Sequence, residues 1–126
     1  MLKDNFFTIV DQTIIDNNTV RFTIWLRKNH TIYQAHFPKN PITPGVCIIQ
    51  IVKELFSHYK NDDFVITKVK NVKFSHPLIP TAHTRIDVSM KIEETEEENI
   101  YTVKSTIYTV DIIYTKINMT LKRGEL

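Results

Sequence analysis

One run constrains the fold of this chain more than any other: from Val46 to Val52 every position is apolar except Gln50. A helix that is apolar almost all round has to be buried, so this segment is expected to be the core helix. Thr43 suits the N-cap and Pro44 the first helical position, while Lys53 and Glu54 mark where the helix emerges towards solvent. The helix is expected to run to about Tyr59, ended by the polar turn Lys60-Asn61-Asp62-Asp63. Just upstream lie His36, three prolines (Pro38, Pro41 and Pro44) and Gly45, the only glycine before Gly124. The first-turn N–H groups around Gly45 are expected to form a small electropositive pocket, and a histidine on a proline-stiffened loop beside it looks like the start of a catalytic site.

The rest of the chain reads as strands. Phe6 to Ile15 is an apolar lead-in that ends in a turn at Asp16-Asn17-Asn18. Val20, Phe22, Ile24 and Leu26 then alternate with polar neighbours and Trp25, the mark of a half-buried strand. In Phe64 to Phe74 the period of two slips near Lys70-Asn71, which predicts a bulge. Pro77 and Pro80 bar a central strand, so Ser75 to Pro80 is a crossing segment. Ile86, Val88, Met90 and Ile92 form the next alternating strand, and Glu93 to Asn99 a charged hairpin tip. Ile100 to Val110 and Ile112 to Lys122 are the last two strands, with Ile113, Ile117, Met119 and Leu121 in one phase. One buried helix and five or six strands predict a single α+β domain over residues 1–126. Its antiparallel sheet has to wrap around the one long helix.

Composition removes several function classes. A net charge of +2 without a dense basic stretch argues against nucleic acid. No apolar run reaches membrane-spanning length, and Met1 to Asp11 mixes charges into its apolar residues, unlike a leader peptide. Cys47 is the only cysteine, which suits a reducing cytoplasm and reads as a small buried hydrophobe. His30, His76 and His83 show no ligand spacing, so neither metal nor other cofactor is expected. His58 and Tyr59 are expected to cover the surface of the helix end. Lys68, Lys70, Lys73, Arg85, Lys122 and Arg123 read either as a solvated strand face or as a basic rim for an acidic partner.

The run His36-Phe37-Pro38-x-x-Pro41-x-x-Pro44-Gly45-Val46 resembles the signature of the hot-dog-fold 3-hydroxyacyl-acyl-carrier-protein dehydratases of fatty acid synthesis. Val72-Lys73-Phe74-x-x-Pro77-Leu78-x-Pro80 resembles a second segment of that family, and Ile32-Tyr33-Gln34 stands where it has an aromatic pair followed by Gln. The chain departs from the pattern at Ala35 and Lys39, where glycines are usual, at His76 in place of an Arg, and at Thr81 in place of a Gly.

The resemblance implies a hot-dog fold and a dimer in which His36 is the base that removes an α-proton from a 3-hydroxyacyl thioester. The Gly45 N–H would polarise the thioester carbonyl. It also implies a tunnel along the helix between subunits, lined by Phe37, Val46 and Ile49. The family's acid, a Glu or Asp of the partner subunit, falls fourteen residues after the histidine, and that position here is Gln50.

An amide has no comparable proton to give, but it can hydrogen-bond the substrate hydroxyl or a water. Gln50 therefore reads either as a positioning group or as a remnant of lost chemistry. Glu54, one turn on, reads as a solvated helix-end residue, with a compensating acid acting through Gln50 or water as the second reading.

Three functional readings follow. The first is dehydration of an acyl-carrier-protein or coenzyme A thioester to the trans-2-enoyl product. The alternative is an impaired subunit that binds acyl chains or completes a site in a heterodimer with an acid-bearing paralogue. A hot-dog thioesterase is a third reading, which free acid as product would reveal.

Overall fold

A computed structural model describes residues 2–27, 30–35, 42–80 and 85–124, with only the backbone of 34 and 35. His36 and Phe37 lie outside the described residues, as do Lys39, Thr81 and His83. The elements in chain order are β1 (Phe7–Ile14), β2 (Thr19–Leu26), α1 (Thr31–Ala35), α2 (Gly45–Lys60), β3 (Phe64–Phe74), β4 (Arg85–Glu94), β5 (Ile100–Tyr108) and β6 (Ile113–Arg123). The strands form one antiparallel sheet in the order β1-β2-β4-β5-β6-β3, and α2 packs on its inner face. This is the α+β arrangement that the pattern predicts.

Alternation places the core. Val20, Phe22, Ile24 and Leu26 of β2 face inward beside Ile86, Val88, Met90 and Ile92 of β4. Val103 and Ile107 of β5 and Ile117, Met119 and Leu121 of β6 continue that face. From α2, Cys47, Ile48, Ile51, Val52, Leu55 and Phe56 close onto it. The lead-in is a full strand: β1 pairs with β2 through a tight hairpin in which the Asn18 N–H donates to Asp16 Oδ1 at 3.0 Å. That bond favours the charged carboxylate and pulls the Asp16 acid below its usual range.

The bulge expected near Lys70-Asn71 is present as a register shift between Val69 and Asn71, with a second between Ile66 and Lys68. Each inserts a residue and flips the pleat, which is why the hydrophobic phase of β3 slips. The hairpin from β5 to β6 turns earlier than the apolar residues suggest. Val110 is 99% exposed at its tip, and Ile113, expected in the core phase, is 44% exposed at the first position of β6. Core coverage ends at Tyr114 and Thr115, so apolar character at a strand end does not enforce burial.

Both ends of α2 differ from expectation in detail. The helix starts at Gly45, with Pro44 at the N-cap and no side chain capping it. The Thr43 hydroxyl is instead hydrogen-bonded to the Tyr33 phenol at 2.9 Å, which removes it as a cap. At the other end Asn61 adopts the left-handed conformation (φ 54°, ψ 46°), and the Asp62 N–H bonds back to the Ser57 carbonyl at 3.2 Å. This closure needs a residue that tolerates positive φ, a role Asn fills at lower strain than most. Asn61→Ala is expected to lower unfolding stability by about 1 kcal/mol, while Asn61→Gly holds or raises it, as read from urea midpoints.

Candidate functional site

The helix start is built around a close approach. A Cβ on Gly45 would lie 2.7 Å from Phe74 Cζ, so the last ring of β3 occupies the space a side chain there would need. Cys47 and Ile48 N–H groups both reach the Pro44 carbonyl, at 3.0 and 3.1 Å. The Gly45 and Val46 N–H groups precede any helix carbonyl that could take them, so they are the donors this terminus presents. An open groove of ≈ 340 Å³ runs past Gly45, lined also by Thr43, Ile48, Phe74, Ser75, His76, Pro77 and Leu78. His76, where the family resemblance has an Arg, bonds the Ile113 carbonyl through Nδ1 at 3.1 Å.

The described residues on either side of segment 36–41 are tied to one another. On the upstream side His30 Nδ1 accepts the Ile32 N–H at 3.0 Å and so caps the short helix α1, a segment whose residues read in sequence only as an approach to the motif. Tyr33 of α1 stacks on Phe6 with ring centroids 5.1 Å apart. Its phenol then meets Thr43 on the downstream side, and the Thr43 N–H donates to the Leu78 carbonyl at 2.8 Å. The short helix α1 is thereby joined to the residues just before α2.

Burial pushes the Tyr33 phenol up to about 12, with the Thr43 hydrogen bond pulling the other way and Cys47 adding to the rise. Unfolded Tyr loses its proton near pH 10. Between about pH 10 and 12 the unfolded chain therefore binds fewer protons than the native one, and stability falls as pH rises. Tyr33→Phe is expected to flatten that alkaline slope in pH-dependent urea titrations.

On α2, Val46, Ile49, Gln50 and Lys53 recur at helical spacing and share one stripe. This stripe is the least covered side of the helix: Val46 is 76% exposed, and the other three are partly exposed. Among the described residues, α2 is thus not covered on all sides. The structure brings Val46, Ile49 and Gln50 together, and sets Gly45 off that stripe, against Phe74.

Glu54 requires a correction. It is 6% exposed, not a solvated helix-end residue. Its carboxylate accepts the Leu2 N–H on both oxygens at 2.9 Å and the Lys3 N–H on Oε1 at 2.8 Å. It also accepts Gln50 Nε2–H on Oε2 at 2.8 Å. The chain's start folds back onto the helix to supply the donors a buried carboxylate needs. Cys47 is buried as expected, and burial pushes its thiol above the usual range, which makes it a poor nucleophile.

Residues 12–110 match the profile of the ApeI-like family, described as the ApeI dehydratase. The chain belongs to the ApeI-like dehydratase family. Among curated proteins it is similar to the 3-hydroxyacyl-acyl-carrier-protein dehydratase FabZ of Geobacter metallireducens, 36% identical over 70 residues, 48% of this chain and 47% of that protein. It is also similar to FabZ of Bartonella bacilliformis, 28% identical over 103 residues, 71% of this chain and 65% of that one. The first match spans about half of the relative's length and the second about two thirds. Among solved structures, the dehydratase heterocomplex ApeI:P from Xenorhabdus doucetiae superposes with a TM-score of 0.67 at 20% identity, covering 92% of this chain and 97% of that one. The fold is the hot-dog fold, with α2 packed on one face of the sheet. No helix among the described residues is long and apolar enough to cross a membrane.

Proposed function

We propose that this protein is a 3-hydroxyacyl-thioester dehydratase-like member of its family, acting as one domain on an acyl chain carried by acyl-carrier protein or coenzyme A. The observation that carries the reading is the uncovered stripe of Val46, Ile49 and Gln50 beside the helix start. An acyl chain lying along this stripe would keep its thioester at the α2 N-terminus and its third carbon near Gln50.

His36 would take the α-proton, and the Gly45 N–H would hold the charge that grows on the thioester oxygen. The C3–O bond then breaks, and the departing oxygen needs a proton that a Gln50 amide does not supply. The imidazolium formed at His36 carries one. Missing one proton-transfer partner slows such a step by about 10²–10⁴-fold, so the enzyme is expected to be slow.

A second reading is favoured by the same exposed stripe: Val46 needs cover, and a partner chain would provide it. A second copy gives a homodimer; a paralogue with an acid at the Gln50 position would complete one full site with His36. The structural neighbour from Xenorhabdus doucetiae is itself a heterocomplex, which supports keeping this reading.

The test is incubation of purified protein with short and medium 3-hydroxyacyl carrier-protein thioesters, with products identified by mass spectrometry. Enoyl thioester from wild type and none from His36→Ala supports the first reading. A wild type that is inactive alone but gains activity with a co-purifying hot-dog chain supports the second. Free acid would overturn both in favour of thioester hydrolysis.

A further inference from the structure

The buried carboxylate of Glu54 sits one helical turn from Gln50 and has a definite set of neighbours. Four donor contacts converge on it: the Leu2 N–H to each oxygen, the Lys3 N–H to Oε1, and Gln50 Nε2 to Oε2. The two backbone donors come from 52 and 51 residues away, so the carboxylate is held from outside its own helix. A carboxylate acting as acceptor to all of these can only be met by the nitrogen of the Gln50 amide, never by its oxygen. The amide orientation is therefore dictated by chemistry.

We propose that Glu54 is a positioning residue that clamps the Gln50 amide, so that Gln50 Oε1 faces the open stripe as a hydrogen-bond acceptor for the substrate's hydroxyl. This rests on the dehydratase reading for the identity of the hydroxyl; the clamp itself rests on the hydrogen bonds alone. Val46, four residues before Gln50 on the same stripe, is exposed and Gln50 itself is partly exposed, so the helix side that carries the amide is the uncovered one.

The consequence is specific. A hydroxyl that donates to Gln50 Oε1 is bound and oriented, yet its oxygen receives no proton from that residue. Gln50 then contributes to substrate binding more than to the bond-breaking step. Among the described residues every contact to Glu54 is a donor, so in this proposal it serves as a positioning acceptor and not as a compensating acid.

Glu54→Gln separates these roles. The new amide can still accept the Leu2 and Lys3 N–H groups through its oxygen. Its nitrogen then faces Gln50, which must rotate to accept with Oε1 and so turns its own N–H groups to the stripe. The expected result is a rise in KM of about tenfold, the worth of one hydrogen bond, with kcat changed less than KM.

A second readout needs no turnover. In a ¹⁵N–¹H correlation spectrum, the Gln50 side-chain NH₂ pair, assigned by its loss in Gln50→Ala, should show one proton displaced downfield by its carboxylate partner. That displacement should vanish in Glu54→Gln, whose folding is checked by thermal denaturation.

If the wild type turns over and Glu54→Gln leaves both KM and the Gln50 signal unmoved, the proposal is wrong. A wild type with no dehydratase activity but a signal that moves in Glu54→Gln keeps the clamp and overturns only the dehydratase reading. An inactive wild type with an unmoved signal overturns both.

Discussion

Exchanging two residues, Gln50→Glu together with Glu54→Gln, should raise dehydration of 3-hydroxyacyl thioesters by about 10²–10⁴-fold over the wild type. The exchange puts a carboxyl fourteen residues after His36, where the family resemblance has its acid, and keeps the bond between the two helix positions with its polarity reversed. The amide introduced in place of Glu54 would still accept, through its oxygen, the Leu2 and Lys3 N–H groups that the carboxylate now takes. Steady-state rates with product identified by mass spectrometry decide the matter. An exchanged protein that folds and stays as slow as the wild type would mean that the acid position is not what limits this chain.

The single change Gln50→Glu should behave differently. It places two carboxyl groups where the present contact is 2.8 Å, and such a pair shares one proton, raising the affinity of the pair for it. The native state then binds more protons than the unfolded chain above about pH 4.3, the ordinary Glu value. Stability is lost as pH rises from there through the raised native value. The single variant should thus be least stable at neutral and alkaline pH, and the double variant should not share that dependence.

The largest stability effect belongs to Phe56. It is fully buried where the last turns of α2 meet the sheet, its ring 4.7 Å from that of Phe64 at 71° and 5.5 Å from that of Tyr101. Phe64 and Tyr101 also meet each other edge-on at 5.7 Å, so the three rings form one cluster joining helix, edge strand and central strand. Phe56→Ala should cost about 3–5 kcal/mol, from lost transfer energy and a cavity between groups that cannot close on it. Against a usual total of about 5–15 kcal/mol, that loss can unfold much of the protein at 37 °C. Phe56→Leu, which keeps most of the volume, should lose far less. Urea denaturation of the three proteins measures this; equal losses for Ala and Leu would mean that ring packing, not volume, dominates the site.

The strands and the core helix were legible because their signals are local. Alternation in β2 and β4 reports burial on one sheet face directly, and one break of period was enough to locate a bulge in β3. The N-terminal lead-in was less plain, since Val10 and Ile14 are exposed on the edge strand β1 and Ile15 is exposed just beyond it. In the candidate site, the spacing from His36 to Gln50 and the glycine at the helix start could be read, but the reason for the glycine could not. Phe74 lies 29 residues on, and nothing in the sequence says that its ring would cover Gly45.

Glu54 marks the boundary most clearly. A glutamate near the end of a helix is ordinarily solvated, and by sequence alone that is the sound expectation. Its burial depends on two backbone N–H groups at the start of the chain, which every non-proline residue possesses and which leave no trace in residue identity. The sequence by itself determined the elements, their inward faces and the helical register that puts Gln50 and Glu54 in reach, because periodicity and side-chain polarity act over a few residues. Only the tertiary structure decided which donors meet that carboxylate, and therefore which way the Gln50 amide must point.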